Sequence, residues 1–254
     1  MGVLTMEAVF ATDAGKVRSQ NEDSVRIFRD HAKLLGIVAD GMGGHVAGEV
    51  ASRLATDVAE KKWNELSENL SHADAVTWIN QLVRSMNVRI YDYADQHAAC
   101  RGMGTTVAAV LCMSNFAVVS TVGDSRVYLW QDGDQMKQVT EDHTLVNELV
   151  KTGQISKADA EVNPERHILM RALGTQPAIE LDTVTLELPA DSKILICSDG
   201  LTNRLPDQRL REVLGMNISL KEQADQLIRE ANEAGGEDNI SLIIIAHSEG
   251  GGQV

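Results

Sequence analysis

Short apolar runs that stop at a polar residue or a glycine organise the chain. Leu34 to Ala39 runs into Asp40-Gly41, Phe116 to Val122 into Gly123-Asp124, and Lys193 to Cys197 into Ser198-Asp199-Gly200. A fourth run, Ile240 to Ala246, begins just after Asp238-Asn239. Their length and branched side chains predict strands. Because apolar residues stand at consecutive positions, both faces of these strands are expected to be covered. Weaker strand patterns fall at Ala8 to Asp13, Ser24 to Phe28, Thr105 to Leu111, Val127 to Trp130 and Leu181 to Leu188.

Helical spacing occurs elsewhere. After His45, Ala47, Val50, Ala51, Leu54, Ala55 and Val58 share one helix face, and Ala75, Trp78, Ile79, Leu82, Val83, Met86 and Ile90 repeat the spacing on a second helix expected to run antiparallel to it. A third begins at the capping box Ser219-Leu220-Lys221-Glu222 and stops at Gly235-Gly236. Strands grouped with strands and helices with helices predict an α+β chain of packed sheets with helices outside, not a βαβ alternation. The stretch from about His143 to Pro177 is less regular, with helical fragments at Leu145 to Lys151 and Ser156 to Glu161, and reads as an insertion. No repeat or low-complexity linker divides the chain, so 1–254 is expected to be a single domain.

Composition narrows the function. The chain has 254 residues, with 23 Lys plus Arg against 37 Asp plus Glu, a net charge of −14 that argues against nucleic-acid binding. Apolar residues make up 43%, enough for a sizeable core, with disorder expected only in the Gly-rich tail from Glu249 to Val254. Cys100, Cys112 and Cys197 are odd in number, widely spaced and form no CxxC pair, so neither a disulfide framework nor a zinc knuckle is indicated and a reducing cytoplasm fits. Asp13, Arg18, Glu22 and Asp23 interrupt any signal peptide, and no segment reaches the roughly 18 apolar residues of a membrane span. Met6 stands where myristoylation requires Ser or Thr. A cytoplasmic protein without a membrane partner is expected.

The chemistry lies at the strand ends. Asp40, Asp124 and Asp199 lie immediately beyond strong strands and Asp238 immediately before one. Singly, each reads as ordinary turn chemistry. Together, and with Glu22-Asp23, they suit a shared site for hard cations, because rigid strand ends bring distant carboxylates to one point. All-oxygen ligands favour Mg²⁺ or Mn²⁺ over Zn²⁺. Two such ions about 4 Å apart can hold a hydroxide nucleophile and polarise a phosphoryl oxygen, so phosphate-ester hydrolysis follows. Arg18, five residues before Asp23, suits a bidentate phosphate clamp, although its spacing alone equally fits a solvated arginine. Gly41, Gly43 and Gly44 lack a following Gly-Lys-Ser/Thr, which rules out a P-loop. Trp63, Trp78, Trp130, Met103 and Met170 read as packing residues.

Six motifs occur in order: Asp13-Ala14-Gly15-Lys16-Val17-Arg18-Ser19-Gln20-Asn21-Glu22-Asp23, Val38-Ala39-Asp40-Gly41-Met42-Gly43-Gly44-His45, Gly102-Met103-Gly104-Thr105-Thr106, Val122-Gly123-Asp124-Ser125-Arg126, Cys197-Ser198-Asp199-Gly200-Leu201 and Asp238-Asn239. The set resembles the metal-dependent serine/threonine protein phosphatases of type 2C, in their compact bacterial form, from about Thr12 to Ile245. The resemblance implies a central β-sandwich of two mainly antiparallel sheets flanked by helix pairs, a four-layer αββα arrangement. It also implies two tightly bound Mn²⁺ or Mg²⁺ ions, with a weaker third. Asp40 would bridge both ions, the Gly41 carbonyl would bind one, and Asp199 and Asp238 would complete the other. Asp124 would join Asp199 at the third ion. Glu22 and Asp23 would orient water, or Asp23 would bind directly, and Arg18 would hold the substrate phosphate. The segment of about 143–177 would be a flap beside the site.

The resemblance further implies hydrolysis of phosphoserine and phosphothreonine by direct attack of metal-activated water, opposite a bacterial Ser/Thr kinase, by a monomer. Animal members place a histidine two residues after the bridging aspartate, where this chain has Met42, so the general acid is unassigned between His45, His167 and a water. For each histidine the plain alternative is a helix-start or surface residue. Two other classes stay open: a silent phosphoprotein-binding module, which the complete aspartate set disfavours, and a hydrolase of small phosphoesters or nucleotides.

Overall fold

The computed structural model describes residues 4–30, 33–67, 70–131 and 135–249. In chain order the elements are β1 (Leu4–Asp13), β2 (Asp23–Arg29), β3 (Leu34–Met42), α1 (His45–Asn64), α2 (His72–Gln96), β4 (Gly104–Thr105), β5 (Val107–Cys112), β6 (Phe116–Val122), β7 (Arg126–Gln131) and β8 (Gln135–Gln138). They continue as α3 (Leu145–Lys151), α4 (Lys157–Glu161), β9 (Asp182–Glu187), β10 (Ser192–Cys197), α5 (Asp199–Thr202), α6 (Asp207–Leu214), α7 (Leu220–Glu233) and β11 (Ile240–Glu249). One sheet has the order β1-β11-β10-β7-β8, the other β2-β3-β5-β6-β9 with β4 paired to β3, and every pairing is antiparallel.

The consecutive apolar positions explain the layers, since strand residues alternate between faces. On β3, Leu35, Ile37 and Ala39 join a core with α1 and α2, while Leu34 and Val38 join the core between the sheets. On β10, Ile194 and Ile196 meet that same inter-sheet core, while Leu195 and Cys197 pack with Leu210, Val213 and Leu227 of α6 and α7. Three cores thus separate four layers, the α+β sandwich expected. The inter-sheet core packs closely on Gly36: a Cβ there would lie 2.9 Å from the Ile196 Cδ1 methyl, which would have to move aside.

Several expectations change. The strand anticipated over Thr105–Leu111 is broken at Thr106, whose backbone N–H and hydroxyl bond to Asp40 instead of continuing one ladder. β1 begins at Leu4, and the strand expected over 181–188 narrows to Asp182–Glu187. α6 and β8 carried no recognised pattern; α6 spans only 8 residues and buries Leu210, Val213 and Leu214 on an otherwise polar helix. The expected tail begins later, because Glu249 still pairs with Leu4, and residues 250–254 lie outside the described residues.

The stretch from 143 to 177 contains α3 and α4 and is tied back by bridges between Thr144 and Leu169 and between Thr105 and Leu173. Met103 and Trp130 are buried, and Trp63 and Trp78 pack against the α1–α2 core. Met170 corrects the packing expectation, being 53% exposed. Leu169, bridged to Thr144, lines a cleft, while Ile168 and Met170 on either side of it are exposed.

Candidate metal centre and phosphate site

The ladder registers bring the carboxylates to one end of both sheets. Asp23 stands directly across from Asp40 on β2 and β3. Cys197 pairs with Leu242 and with Arg126, so Ser198-Asp199, Asp238-Asn239 and Gly123-Asp124 leave the sheets at the same end. There a cleft of about 580 Å³ is lined by Glu22, Asp40, Gly41, Asp124, Asp199 and Asp238, together with Arg18 and His167. Asp23, beside Asp40, does not itself line it.

Local contacts account for each placement. The Asp40 N–H donates to Thr106 Oγ1 at 3.0 Å, and its carbonyl accepts from Thr106 N–H and Thr105 Oγ1, each at 2.8 Å. Thr106 Oγ1 also pairs with Ser125 Oγ at 2.7 Å, bracing the turn that carries Asp124. Gly41 permits close approach to α1, since a Cβ on it would strike the Gly48 carbonyl, and a Cβ on Gly48 would in turn strike the Glu22 carboxylate. Asp199 opens α5 behind Ser198, and its Oδ2 accepts from Asn203 Nδ2 at 2.9 Å. Asn239 holds the loop bearing Arg18: its Oδ1 accepts Glu22 N–H at 2.8 Å while its Nδ2 donates to the carbonyls of Ala14 at 3.0 Å and Gln20 at 2.9 Å.

Gathering these anions is costly. Desolvation pushes Asp23 up to about 7, with Asp199 and Asp238 adding to it and the Ser241 and Ser198 hydroxyls opposing. Desolvation likewise raises Asp124 to about 8, aided by Asp199 and Asp142. Asp40 lies well above the usual carboxylate range through burial and then the charges of Asp23, Asp199, Asp124 and Asp238. Asp199 is raised by burial and Asp238, with His167 and Asn203 pulling the other way.

The donor set fits divalent cations. Asp23 Oδ2 accepts from Ser198 Oγ at 2.9 Å, but its Oδ1 is buried with no hydrogen-bond partner, an arrangement that a nearby cation would compensate. Among the described residues no three His, Cys, Asp or Glu side chains already converge on one ligating point. The carboxylates ring a cleft wide enough for water and carbonyl oxygen to complete the ligation, as Mg²⁺ sites commonly require. Arg18 Nη2 lies 2.9 Å from Asp238 Oδ2. His167 is exposed and in the cleft, whereas the side chain of His45, at the start of α1, lies outside the described residues. Thr106, Ser198 and Asn239 stand in the sequence motifs with no part in the site assigned to them; Ser198 and Asn239 adjoin aspartates along the chain, whereas Thr106 meets Asp40 only through the fold.

An αββα sandwich with a carboxylate-lined cleft at its end and an arginine beside it is the construction of a metal-dependent phosphatase. A family model described as protein phosphatase 2C matches residues 14–240. The chain is 43% identical over 241 residues to the serine/threonine phosphatase stp of Listeria innocua, covering 94% of this chain and 95% of that one. The structure of serine/threonine phosphatase Stp1 from Staphylococcus aureus superposes with a TM-score of 0.89 at 35% identity, covering 95% of each chain. The catalytic domain of serine threonine protein phosphatase PstP, in complex with 2 manganese ions, does so with a TM-score of 0.84 at 33% identity, covering 96% and 99%. The chain belongs to the protein phosphatase 2C family and is a serine/threonine protein phosphatase.

Proposed function

We propose that the protein hydrolyses phosphoserine and phosphothreonine on proteins at a binuclear Mn²⁺ or Mg²⁺ centre in this cleft, with a third ion held more weakly. The observation that carries the reading is the convergence of Asp40, Asp124, Asp199 and Asp238 on one cleft beside the unpartnered Asp23 Oδ1. Asp40 and the Gly41 carbonyl would hold the paired ions with Asp199 and Asp238, and Asp124 with Asp199 the third. Bound divalent cations supply charge against the phosphoryl oxygens and lower the pKa of water to make it a nucleophile.

The chain's own groups do the rest. Arg18 binds the phosphate oxygens through its planar fork. Glu22, over Gly48, and Asp23, fixed by Ser198, orient water. His167, in the cleft near Asp199, donates a proton to the departing serine or threonine oxygen, a poor leaving group without one. His45 is the second candidate for that proton. The residues from 143 to 177 act as a flap over substrate within a single catalytic domain. None of the described helices is long and apolar enough to cross a membrane. The setting we propose is a cytoplasmic monomer working against a Ser/Thr kinase and its targets.

Phosphate release with Mn²⁺ from phosphothreonine and phosphoserine peptides, compared with free phosphoamino acids and nucleotides, tests the substrate class. Faster turnover of the peptides supports the reading. Faster turnover of nucleotides would replace it with a small-phosphoester hydrolase.

A further inference from the structure

His143 and Asp182, 39 residues apart, meet at the neck of the segment between them. The His143 side chain is only 4% exposed. Its Nδ1 accepts the Gly123 N–H at 3.1 Å, and its Nε2 lies 3.1 Å from Asp182 Oδ2. An amide only donates, so Nδ1 is the acceptor and Nε2 carries the proton that goes to the carboxylate. Two backbone bonds extend the contact: His143 N–H donates to Gly123 O at 2.9 Å, and Met170 N–H donates to His143 O at 2.8 Å. Arg171 Nη1 donates to the other Asp182 oxygen at 3.1 Å. Burial alone would raise the Asp182 carboxyl, but the hydrogen bond from His143 and the nearby Arg171 guanidinium outweigh it and hold the group below its usual value.

Gly123 is therefore gripped on both sides. Its φ of +103° and the lack of space for a Cβ, which would lie 2.6 Å from a Thr106 methyl, leave glycine as the only fit. Thr106 in turn braces Asp40. The next residue is Asp124, and beyond it Arg126 is locked to Asp142, the neighbour of His143, by contacts of 2.7 to 3.0 Å.

We infer that His143 is a positioning residue: by clasping Gly123 and Asp182 together it sets the Asp124 carboxylate in the cleft and fixes the neck of the 144–181 segment to the same point. The inference rests on the reading of Asp124 as a holder of the weaker cation. Cation binding at Asp124 and the seating of that segment are then coupled through one imidazole.

Calorimetric titration with Mn²⁺, run on wild type, His143→Ala, Asp182→Asn and the double variant beside phosphopeptide kinetics, tests this. Wild type is expected to show tight binding followed by a weak class. His143→Ala is expected to leave the tight class and weaken the weak one roughly tenfold, the net worth of one or two hydrogen bonds. kcat/KM should fall with it. Asp182→Asn should lose about threefold, because its amide oxygen still accepts from Nε2, and the double variant should be no worse than His143→Ala, as for a shared contact. A folded His143→Ala with an unchanged weak class and unchanged kinetics overturns the inference. If that variant does not fold, Asp182→Asn decides in the same way. A wild-type titration with no weak class overturns the reading of Asp124, and this inference with it.

Discussion

Arg18 and Asp238, 220 residues apart, form an ion pair in which Nη2 lies 2.9 Å from Oδ2. The side chains are 53% and 40% exposed, so the pair contributes little to stability. Its importance is positional: the cation proposed for the phosphate already sits beside a carboxylate proposed for the metal. Removing Arg18 should therefore act on substrate more than on fold. Arg18→Ala is expected to raise KM for a phosphopeptide by roughly 10- to 100-fold, the worth of a charge-assisted hydrogen bond, with a smaller change in kcat. Arg18→Lys should recover part of it. Steady-state kinetics decide, and an unchanged KM contradicts the assignment.

The crowded carboxylates set how the metal-free protein responds to pH. A carboxyl raised from 3.8 in the unfolded chain to about 7 for Asp23 or about 8 for Asp124 holds its proton more tightly when folded. Its contribution to stability is complete below the lower value and is lost as pH rises through the upper one. In EDTA the melting temperature should thus fall between about pH 4 and pH 8, by ~2–4 °C for each kcal/mol lost in a chain of this size. Asp40→Asn removes one ionisable carboxyl from the buried cluster. It should melt higher than wild type at pH 8 without metal while losing turnover. A melting temperature that rises over this range in EDTA would contradict the electrostatic account.

Gly48 offers a test in which two effects have opposite signs. Alanine inside a helix normally gains about 1 kcal/mol over glycine. Here the added methyl would meet the Glu22 carboxylate and, at 2.8 Å, the Gly41 carbonyl oxygen. Gly48→Ala is expected to lose about 1–3 kcal/mol through overpacking and to lower turnover by displacing both groups. Thermal melts and phosphate release check this together, and a raised melting temperature would mean the contact is not tight.

How far the sequence shows the site depends on which contacts are local. Asp40, Asp124, Asp199 and Asp238 are legible because each borders an apolar run long enough to be a strand, and the same runs reveal the layers through residues covered on both faces. What sets Asp23 opposite Asp40 is ladder register, which depends on pairing between strands and has no local signature. Asn239 looks like an ordinary residue before a strand, and Thr106 like part of one, until their partners at 14, 20, 22 and 40 are known. His143 marks only the start of an irregular stretch in the sequence, since its bonds reach to 123 and 182. α6 is too short for its apolar spacing to stand out, and Met170 is exposed where its residue type alone suggests burial.

The most direct test of the central claim is phosphate release from a phosphothreonine peptide by the purified protein with Mn²⁺, with Mg²⁺ and with EDTA, beside Asp199→Ala. The account predicts release with Mn²⁺ or Mg²⁺, none in EDTA, and none from a folded Asp199→Ala under any condition. Release that persists in EDTA, or in Asp199→Ala, would contradict it.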